Sequence, residues 1–403
     1  MKIAFNAIRV SNKAGSGFDT FIINFVNEFA RYVYSNKLNI DFDVYTLYPQ
    51  HFSEVKKENI KQVKIPFIRQ KSNTDTSNSI ITYKTSKKLF THLPIHPFTH
   101  PLIHTFADYF RMFWTQFIFP FYAKKYDLII ALTEYDACMF LRNQLLIIHN
   151  TVPFLFPNLP TKCKFYTYKL LPKILKKCQK IITVSNALKK ELVELFNVAS
   201  GKISVIKISV IYEGVDFKKF FKADKNEVLN FKEKYQINED FILAVGHSHP
   251  IKNFSGVIEA FKIVRKKYKI KLVIAGLTGK KVVQDRDIIY VGHIPNDKLY
   301  ILYSAAKCFV FPTLHEGFGL PPFEAMACGC PVVVSDKGSL PEVCGDAAVY
   351  VNPYDPTSIA EGILKVLTDE NLRRNLIQKG YQQVKKFSWG QTVKKFLEVL
   401  NYK

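Results

Sequence analysis

The chain has no stretch of about 18 consecutive apolar residues, so no segment is expected to span a membrane. Its most apolar aromatic run, Phe113 to Tyr122, is broken by Gln116 and Pro120. The opening MKIAFNAIRV has too short an apolar run for a signal peptide, lacks a cleavage region, and is expected to be a first strand. Cysteine gives no metal site. The seven are scattered, and the close pair Cys328 and Cys330 has no second pair to complete a zinc cluster. They fit small packing residues in a reducing compartment. Acidic residues are scarce: 34 Asp plus Glu face 57 Lys plus Arg, a net charge of +23. That balance favours an anionic partner, and nucleic acid, anionic lipid and phosphorylated substrates all fit it. The expected location is cytoplasmic, or peripheral on the inner face of a membrane.

At 403 residues, 48% of them hydrophobic, the chain is long enough for two cores. Short apolar, β-rich runs recur between amphipathic stretches, which predicts an α/β protein with parallel sheets. In the first half these runs are Lys2 to Ala7, Asp43 to Leu47, Asp127 to Ala131, Leu145 to His149 and Lys180 to Val184. In the second they are Phe241 to Val245, Lys271 to Ala275, Ile288 to Val291, Cys308 to Phe311, Pro331 to Ser335 and Ala348 to Val351. Helices are expected near 20–34, 254–267, 297–305, 322–328, 357–367 and 370–386, with a last one capped by Ser388. The expected domains are 1–211 and 241–385, joined by a charged linker, 212–240, with a terminal helix over 386–403 packing back on the first domain. Two doubly wound domains would turn their strand ends toward a shared cleft.

The segment Glu316-Gly317-Phe318-Gly319-Leu320-Pro321-Pro322-Phe323-Glu324 follows an apolar strand and holds two glycines and then two prolines at a helix start. Free amides and the helix dipole there favour an anion near Gly319 and Leu320. Glu324 is expected in the first turn and Glu316 on the loop before it. A carboxylate at each end suits hydroxyl-rich rings flanking a phosphate, the layout of a nucleotide sugar. The alternative is a structural turn with surface carboxylates. Lys252, in a loop after a strand, is a natural partner for a diphosphate or a solvated surface lysine. His149 ends an apolar strand, where it either hydrogen-bonds a ligand or is a satisfied structural histidine. Gly15-Ser16-Gly17 would let backbone approach a phosphate or an acceptor, but without a third glycine it is no dinucleotide fingerprint. Asp41 with Asp43 and Asp285 with Asp287 have metal-pair spacing and read as solvated turns. Nine lysines between 162 and 190, interleaved with aromatic and aliphatic residues, fit an anionic-lipid surface or a solvated helix face.

The donor-like segment resembles the Glu-x₇-Glu motif of retaining glycosyltransferases of family 4, the bacterial group 1 glycosyltransferases, which have the GT-B fold. Neighbouring segments are similar to theirs as well. Val245-Gly246-His247 through Pro250-Ile251-Lys252-Asn253 resembles the loop opening the donor domain, and Val291-Gly292-His293-Ile294 the base-binding strand end. Ser339-Leu340-Pro341-Glu342-Val343 resembles the next donor loop, and Ile147-Ile148-His149-Asn150 a His-Asp strand end. Two departures stand out. His247 and Ile251 occupy positions where Arg is frequent, and Asn150 one where Asp is common.

The resemblance implies two Rossmann-like domains facing a central cleft, the first binding acceptor and the second the nucleotide sugar. It implies a hexosyltransferase acting with retention on a sugar or lipid-linked acceptor in surface polysaccharide or glycolipid synthesis. Glu316, His149 and Lys252 would be catalytic. Gly246, His247, Asn253, His293, Ile294, Gly317, Phe318, Gly319, Leu320 and Glu324 would join Lys252 and Glu316 around the donor. No cofactor or metal is expected, because Lys252 and the helix start can stabilise the leaving diphosphate. An anionic membrane surface is an expected partner and nucleic acid is not, since no recognition motif is present. A sugar-nucleotide epimerase of similar fold would need no acceptor, and the Glu-x₇-Glu segment argues against it. A non-catalytic basic membrane- or nucleic-acid-binding protein is the remaining alternative, against which Glu316, Lys252 and Glu324 stand.

Overall fold

The computed structural model describes residues 1–11, 16–63, 108–161, 163–200, 208–277, 283 and 285–402. Two parallel sheets organise them. The first runs β3-β2-β1-β4-β5-β6-β7, from β1 Lys2–Asn6, β2 Asp41–Thr46, β3 Ile60–Gln62, β4 Leu128–Ala131, β5 Gln144–Ile148, β6 Lys180–Thr183 and β7 Ile208–Val210. The second runs β10-β9-β8-β11-β12-β13, from β8 Phe241–Val245, β9 Lys271–Ala275, β10 Ile288–Gly292, β11 Cys308–Phe311, β12 Val332–Ser335 and β13 Ala348–Val351. Strands such as FILAV and VVVS are buried nearly throughout. Helices covering both faces of a parallel sheet require such continuous apolar runs instead of alternation. Each sheet reverses its strand order once, at β1/β4 and at β8/β11. The strand ends beside such a reversal open a crevice suited to ligands.

By packing, the chain forms two compact units, residues 1–146 with 163–179, and residues 147–162 with 180–403. Residues 180–200 and 208–211, expected with the first domain, group with the second unit, although β6 and β7 lie in the first sheet. Tyr45, Trp114, Phe119 and Ile129 belong to the core of the first, and Phe261, Leu272, Val310 and Ile363 to that of the second. The stretch expected as a linker carries a helix, Lys225–Lys234, whose Asp224 and Glu227 form a reciprocal capping box. The helix after β8 stops at Val264, and the one after β11 starts at Leu320, ahead of both prolines. The last helix, Trp389–Val399, packs within the second unit: Thr392 donates to the Tyr212 carbonyl at 2.9 Å, and Lys180 to that of Val399.

Gly15 lies outside the described residues. Ser16 caps the helix Gly17–Ser35, its hydroxyl accepting from the Asp19 amide at 3.1 Å while the Asp19 carboxylate accepts from the Ser16 amide. A Cβ built on Gly17 meets nothing within 4 Å, so no close approach requires glycine there. Ser16 and Gly17 are thus the cap and the first residue of this helix. Gly214 is the opposite case: its Cβ would lie 2.3 Å from the Trp389 nitrogen, beside the bridge from Val215 to Ser388. Gly214→Ala should therefore destabilise by about 1–3 kcal/mol, because backbone must shift. Gly17→Ala should be neutral or stabilising by about 0.5 kcal/mol. Thermal melts of the two variants check the contrast, and equal midpoints would contradict it.

Candidate active site

The site forms in the second unit, at the ends of β8 and β11. Beyond β8, Pro250–Lys252 makes one 3₁₀ turn, and Asn253 follows in the left-handed region at φ 54°. Asn253 was expected to touch a donor, but its side chain ties three segments together. Its oxygen accepts from the Gly256 amide at 3.2 Å, and its nitrogen donates to the carbonyls of Pro312 at 3.1 Å and Pro353 at 2.7 Å. This cap fixes the end of the loop and aims Lys252 inward. The Lys252 Nζ lies 2.6 Å from Glu316 Oε1 and 4.9 Å from the centre of the Phe311 ring. Both side chains of the ion pair are about one-sixth exposed, at 15% and 16%.

The partner loop leaves β11. Thr313 Oγ1 sits 2.8 Å from the Ile251 carbonyl and 3.1 Å from Glu316 Oε1, joining the two loops. Among the described residues, Glu316 Oε2 has no hydrogen-bond partner in the protein. The backbone beneath it is clamped. Gly338, at φ +61°, passes so close that a Cβ would lie 2.5 Å from the Glu316 oxygen, and the Ser339 amide donates to that oxygen at 3.1 Å. On the next residue, a Cβ at Gly317 would lie 1.7 Å from the His149 carbonyl oxygen, and Ser185 donates to the Gly317 carbonyl at 2.7 Å. The loop ends at Gly319, φ +99°, which precedes the helix Leu320–Ala327 and has no side chain to cap it. Pro321 and Pro322 carry no N–H, so the amides of Gly319 and Leu320 are the donors this start offers an anion.

Three expected contacts change once side chains are placed. Phe318 is buried, stacked on Phe323 with ring centres 5.2 Å apart and edge-on to Phe387, so it packs the core. Ile294 is likewise buried. Glu324 lies in the second helical turn, not the first, because the helix begins at Leu320. It is buried and accepts from the Tyr303 hydroxyl at 3.2 Å, and burial pushes its carboxyl up to about 7. By contrast, His247 and His293 are exposed, and His247 Nδ1 accepts from the His249 amide at 3.3 Å. Gly246 donates its amide to Ala275 at 3.1 Å and crosses within 2.5 Å of where a Gly276 Cβ would stand.

His149 is buried at the end of β5, its Nδ1 2.9 Å from Glu213 Oε1. A carboxylate at Nδ1 holds the hydrogen on that nitrogen and makes Nε2 the acceptor of the neutral ring. Sequence reasoning missed Glu213, which stood in the supposed linker. It also missed His315, whose Nε2 lies 2.8 Å from Glu191 Oε1, while Thr151 donates to Glu191 Oε2 at 2.5 Å. The buried His315 Nδ1 has no partner among the described residues. Its place directly before Glu316 was the available signal.

Of the aspartate pairs, Asp41 is exposed and Asp285 and Asp287 lie at a turn before β10, whereas Asp43 is not solvated. Asp43 is buried within β2, accepts from the Tyr126 hydroxyl and pairs with Lys61 at 3.2 Å. Asp285 and Asp287 pair with Arg265 and Lys271, each at 2.7 Å. Among the described residues, no cluster of three His, Cys, Asp or Glu could hold a metal, and no helix is long and apolar enough to cross a membrane.

The Glu324 environment gives a pH signature. Its carboxyl is raised by burial, so its contribution to stability is full below the ordinary carboxyl range and is lost as pH rises through about 7. Glu324→Gln keeps a group for Tyr303 and cannot ionise. It should melt like the parent near about pH 5 and above it near about pH 8.5, by the equivalent of about 1–3 kcal/mol. Parallel melting curves across that range would show that the carboxyl is not raised.

Residues 226–383 match the family model described as glycosyl transferases group 1, and residues 77–219 that of glycosyltransferase family 4. O-antigen chain mannosyltransferase B of Escherichia coli is 33% identical over 237 residues, 56% of this chain and 61% of that protein. O-antigen chain mannosyltransferase RfbU of Salmonella typhimurium is 33% identical over 246 residues, 59% and 64% of the two chains. The match thus spans less than two thirds of the length of these curated relatives. HepE of Anabaena, solved in complex with UDP and glucose, superposes with a TM-score of 0.68 at 15% identity, covering 100% of both chains. The two sheets are those of the GT-B fold, and the chain belongs to the group 1 glycosyltransferases of family 4.

Proposed function

We propose that this chain transfers a hexose, with mannose the first to test, from a nucleotide-diphosphate sugar to a saccharide or lipid-linked acceptor in surface polysaccharide synthesis. The mannosyltransferase relatives support the sugar class and the process. The observation that carries the chemistry is the Lys252–Glu316 pair, 2.6 Å apart, beside a helix start offering the Gly319 and Leu320 amides.

In this reading the diphosphate lies between Lys252 and those two amides. With Pro321 and Pro322 contributing no donors, Lys252 supplies most of the compensating charge as the diphosphate leaves, and no metal is needed for that step. When the donor phosphate draws Lys252 away, the Glu316 carboxylate faces the sugar ring, where positive charge develops. His149, held by Glu213, presents Nε2 to the transferred sugar or the incoming hydroxyl. The acceptor attacks from the face the diphosphate leaves, with retention at the anomeric carbon. Glu324 accepts from the ribose hydroxyls, which favours its ionised form. The reaction takes place in the cytoplasm, at the inner face of an anionic membrane.

The two ends of the donor segment are separable. Glu316→Gln should bind free nucleotide diphosphate normally and lose turnover by about a hundredfold, because it acts on charge present in the transition state. Glu324→Ala should weaken diphosphate binding by roughly tenfold to a hundredfold. Steady-state transfer from UDP-, GDP- and ADP-hexoses, calorimetry with the free diphosphates and NMR of the product anomer check this together. Normal turnover in Glu316→Gln, or an inverted product, would reject the mechanism.

A further inference from the structure

The first sheet reverses its strand order at β1/β4, and its crevice lies outside the ends of those two strands. The loop after β4 forms a shelf there, tied down at several points. Thr133 Oγ1 accepts from the Tyr135 amide at 3.3 Å, and Asn6, at the end of β1, donates to the Asp136 carbonyl at 2.9 Å. The buried Tyr166 hydroxyl is shared between the carbonyls of Glu134 and Ala137, at 2.8 and 2.9 Å. The Tyr166 ring also stacks on Tyr135, with centres 6.0 Å apart, so the Tyr135 ring is fixed in place. Arg9, in the loop after β1, lies against this shelf. Its guanidinium carbon is 4.2 Å from the centre of the Tyr135 ring and 5.5 Å from that of Phe18, and these two rings meet edge-on at 6.5 Å.

Stacking holds a guanidinium by its face and leaves its N–H donors, which lie in the plane, uncommitted. Among the described residues, the Arg9 guanidinium makes no ion pair and no hydrogen bond. Carboxylates of this region are engaged elsewhere. Asp19 accepts from the Ser11 amide and hydroxyl at 2.9 and 2.8 Å, and from the Ser16 amide and hydroxyl at 3.1 and 2.8 Å. Asp136 accepts from the Thr133 hydroxyl at 2.7 Å, and burial pushes its carboxyl up to about 6, which the Arg9 charge offsets only in part. Elsewhere among the described residues, Arg31, Arg111, Arg265, Arg286, Arg373 and Arg374 each pair with a carboxylate, and Arg142 is exposed to water. Arg9 is half-buried and has neither. A charge so enclosed is costly to leave without a counter-charge.

We propose that Arg9 is the anion clamp of an acceptor site in the first unit: its edge grips a phosphate or carboxylate borne by the acceptor, which is therefore an anionic molecule and not a neutral saccharide. A guanidinium offers two parallel N–H groups that match a pair of oxygens on either anion. The rings of Tyr135 and Phe18 hold that fork in one plane before a ligand arrives, so little freedom is lost on binding. The second sheet offers a parallel. There Lys252, beyond β8, lies 4.9 Å from the centre of the Phe311 ring at the end of β11, and Glu316 supplies its counter-charge. At the first sheet no carboxylate of the described chain answers Arg9, and the ligand supplies one. That the anion belongs to an acceptor rests on the transfer reading above; that Arg9 takes an anion does not.

Calorimetry with geranyl diphosphate and with glucuronate tests this, with geraniol and glucose as neutral controls. The first probe stands for a lipid-linked diphosphate and the second for an acidic sugar, so the arm that responds identifies the source of the anion. The parent should bind at least one of the two, and Arg9→Gln should lose about tenfold or more of that affinity. Arg9→Lys keeps the charge without the fork and should recover only part of the loss. Lys252→Gln should keep the binding that depends on Arg9 and lose free nucleoside diphosphate, and Arg9→Gln should do the reverse. A parent that binds the anion but no nucleoside diphosphate would reject the transfer reading and leave the anion site standing. Should Arg9→Gln fail to match the parent's circular dichroism, Arg9→Met, which keeps an apolar stem over Tyr135, replaces it with the same expectation. Failure of the parent to bind either anion, variants of Arg9 that bind like the parent, or a loss caused by Lys252→Gln in place of Arg9→Gln would overturn the proposal. So would neutral controls that bind as well as the anions.

Discussion

The candidate site depends on one backbone contact. A Cβ on Gly317 would lie 1.7 Å from the carbonyl oxygen of His149, so these two chain segments touch at a distance only glycine permits. Ser185 holds the same place from another side by donating to the Gly317 carbonyl. One residue earlier, Gly338 closes on the backbone of Glu316 in the same manner, and the Ser339 amide occupies the Glu316 carbonyl. The loop is thus pinned through main chain at successive residues, and the Glu316 side chain inherits its direction from that. His149 gains from the same contact, because the strand end carrying it cannot withdraw from the loop.

Charge is arranged on this frame in pairs: Lys252 with Glu316, His149 with Glu213, and His315 with Glu191. Partly buried ion pairs add little to stability once desolvation is counted, but removing one partner leaves an uncompensated charge. Their value here is positional. Each fixes the direction or the tautomer of a group at the site. Glu324 differs: burial raises its carboxyl, and the hydrogen bond it accepts from the Tyr303 hydroxyl offsets only part of that. A ligand that donates hydrogen bonds to it would supply what the protein withholds.

Much of this was legible in the sequence, for identifiable reasons. Strands such as Phe241–Val245 and Val332–Ser335 stood out because a sheet covered on both faces demands unbroken apolar runs. The edge strands Ile60–Gln62 and Ile208–Val210 did not, since three residues show no period. The helix Lys225–Lys234 was hidden by its charge, although the Asp224–Glu227 capping box was there to read. At the site, the Glu316–Glu324 segment and Lys252 were recognisable as a pattern. The direction of each side chain was not, so Phe318 and Asn253 were assigned to a ligand while the fold uses them itself. Glu213 is 64 residues from His149 and Glu191 is 124 from His315. Only the folded chain brings such partners together.

The geometry of the site turns on Gly317, which has no chemistry of its own. The direct measurement is transfer by Gly317→Ala, read beside its thermal midpoint. A methyl group there must push the loop off the His149 strand end. A displacement of an ångström at a reacting centre costs on the order of a hundredfold in rate. The account predicts that turnover falls by about that factor, with a lowered midpoint, while the sheets keep the parent's circular dichroism. Turnover and melting like those of the parent would show that the backbone contact does not hold the site.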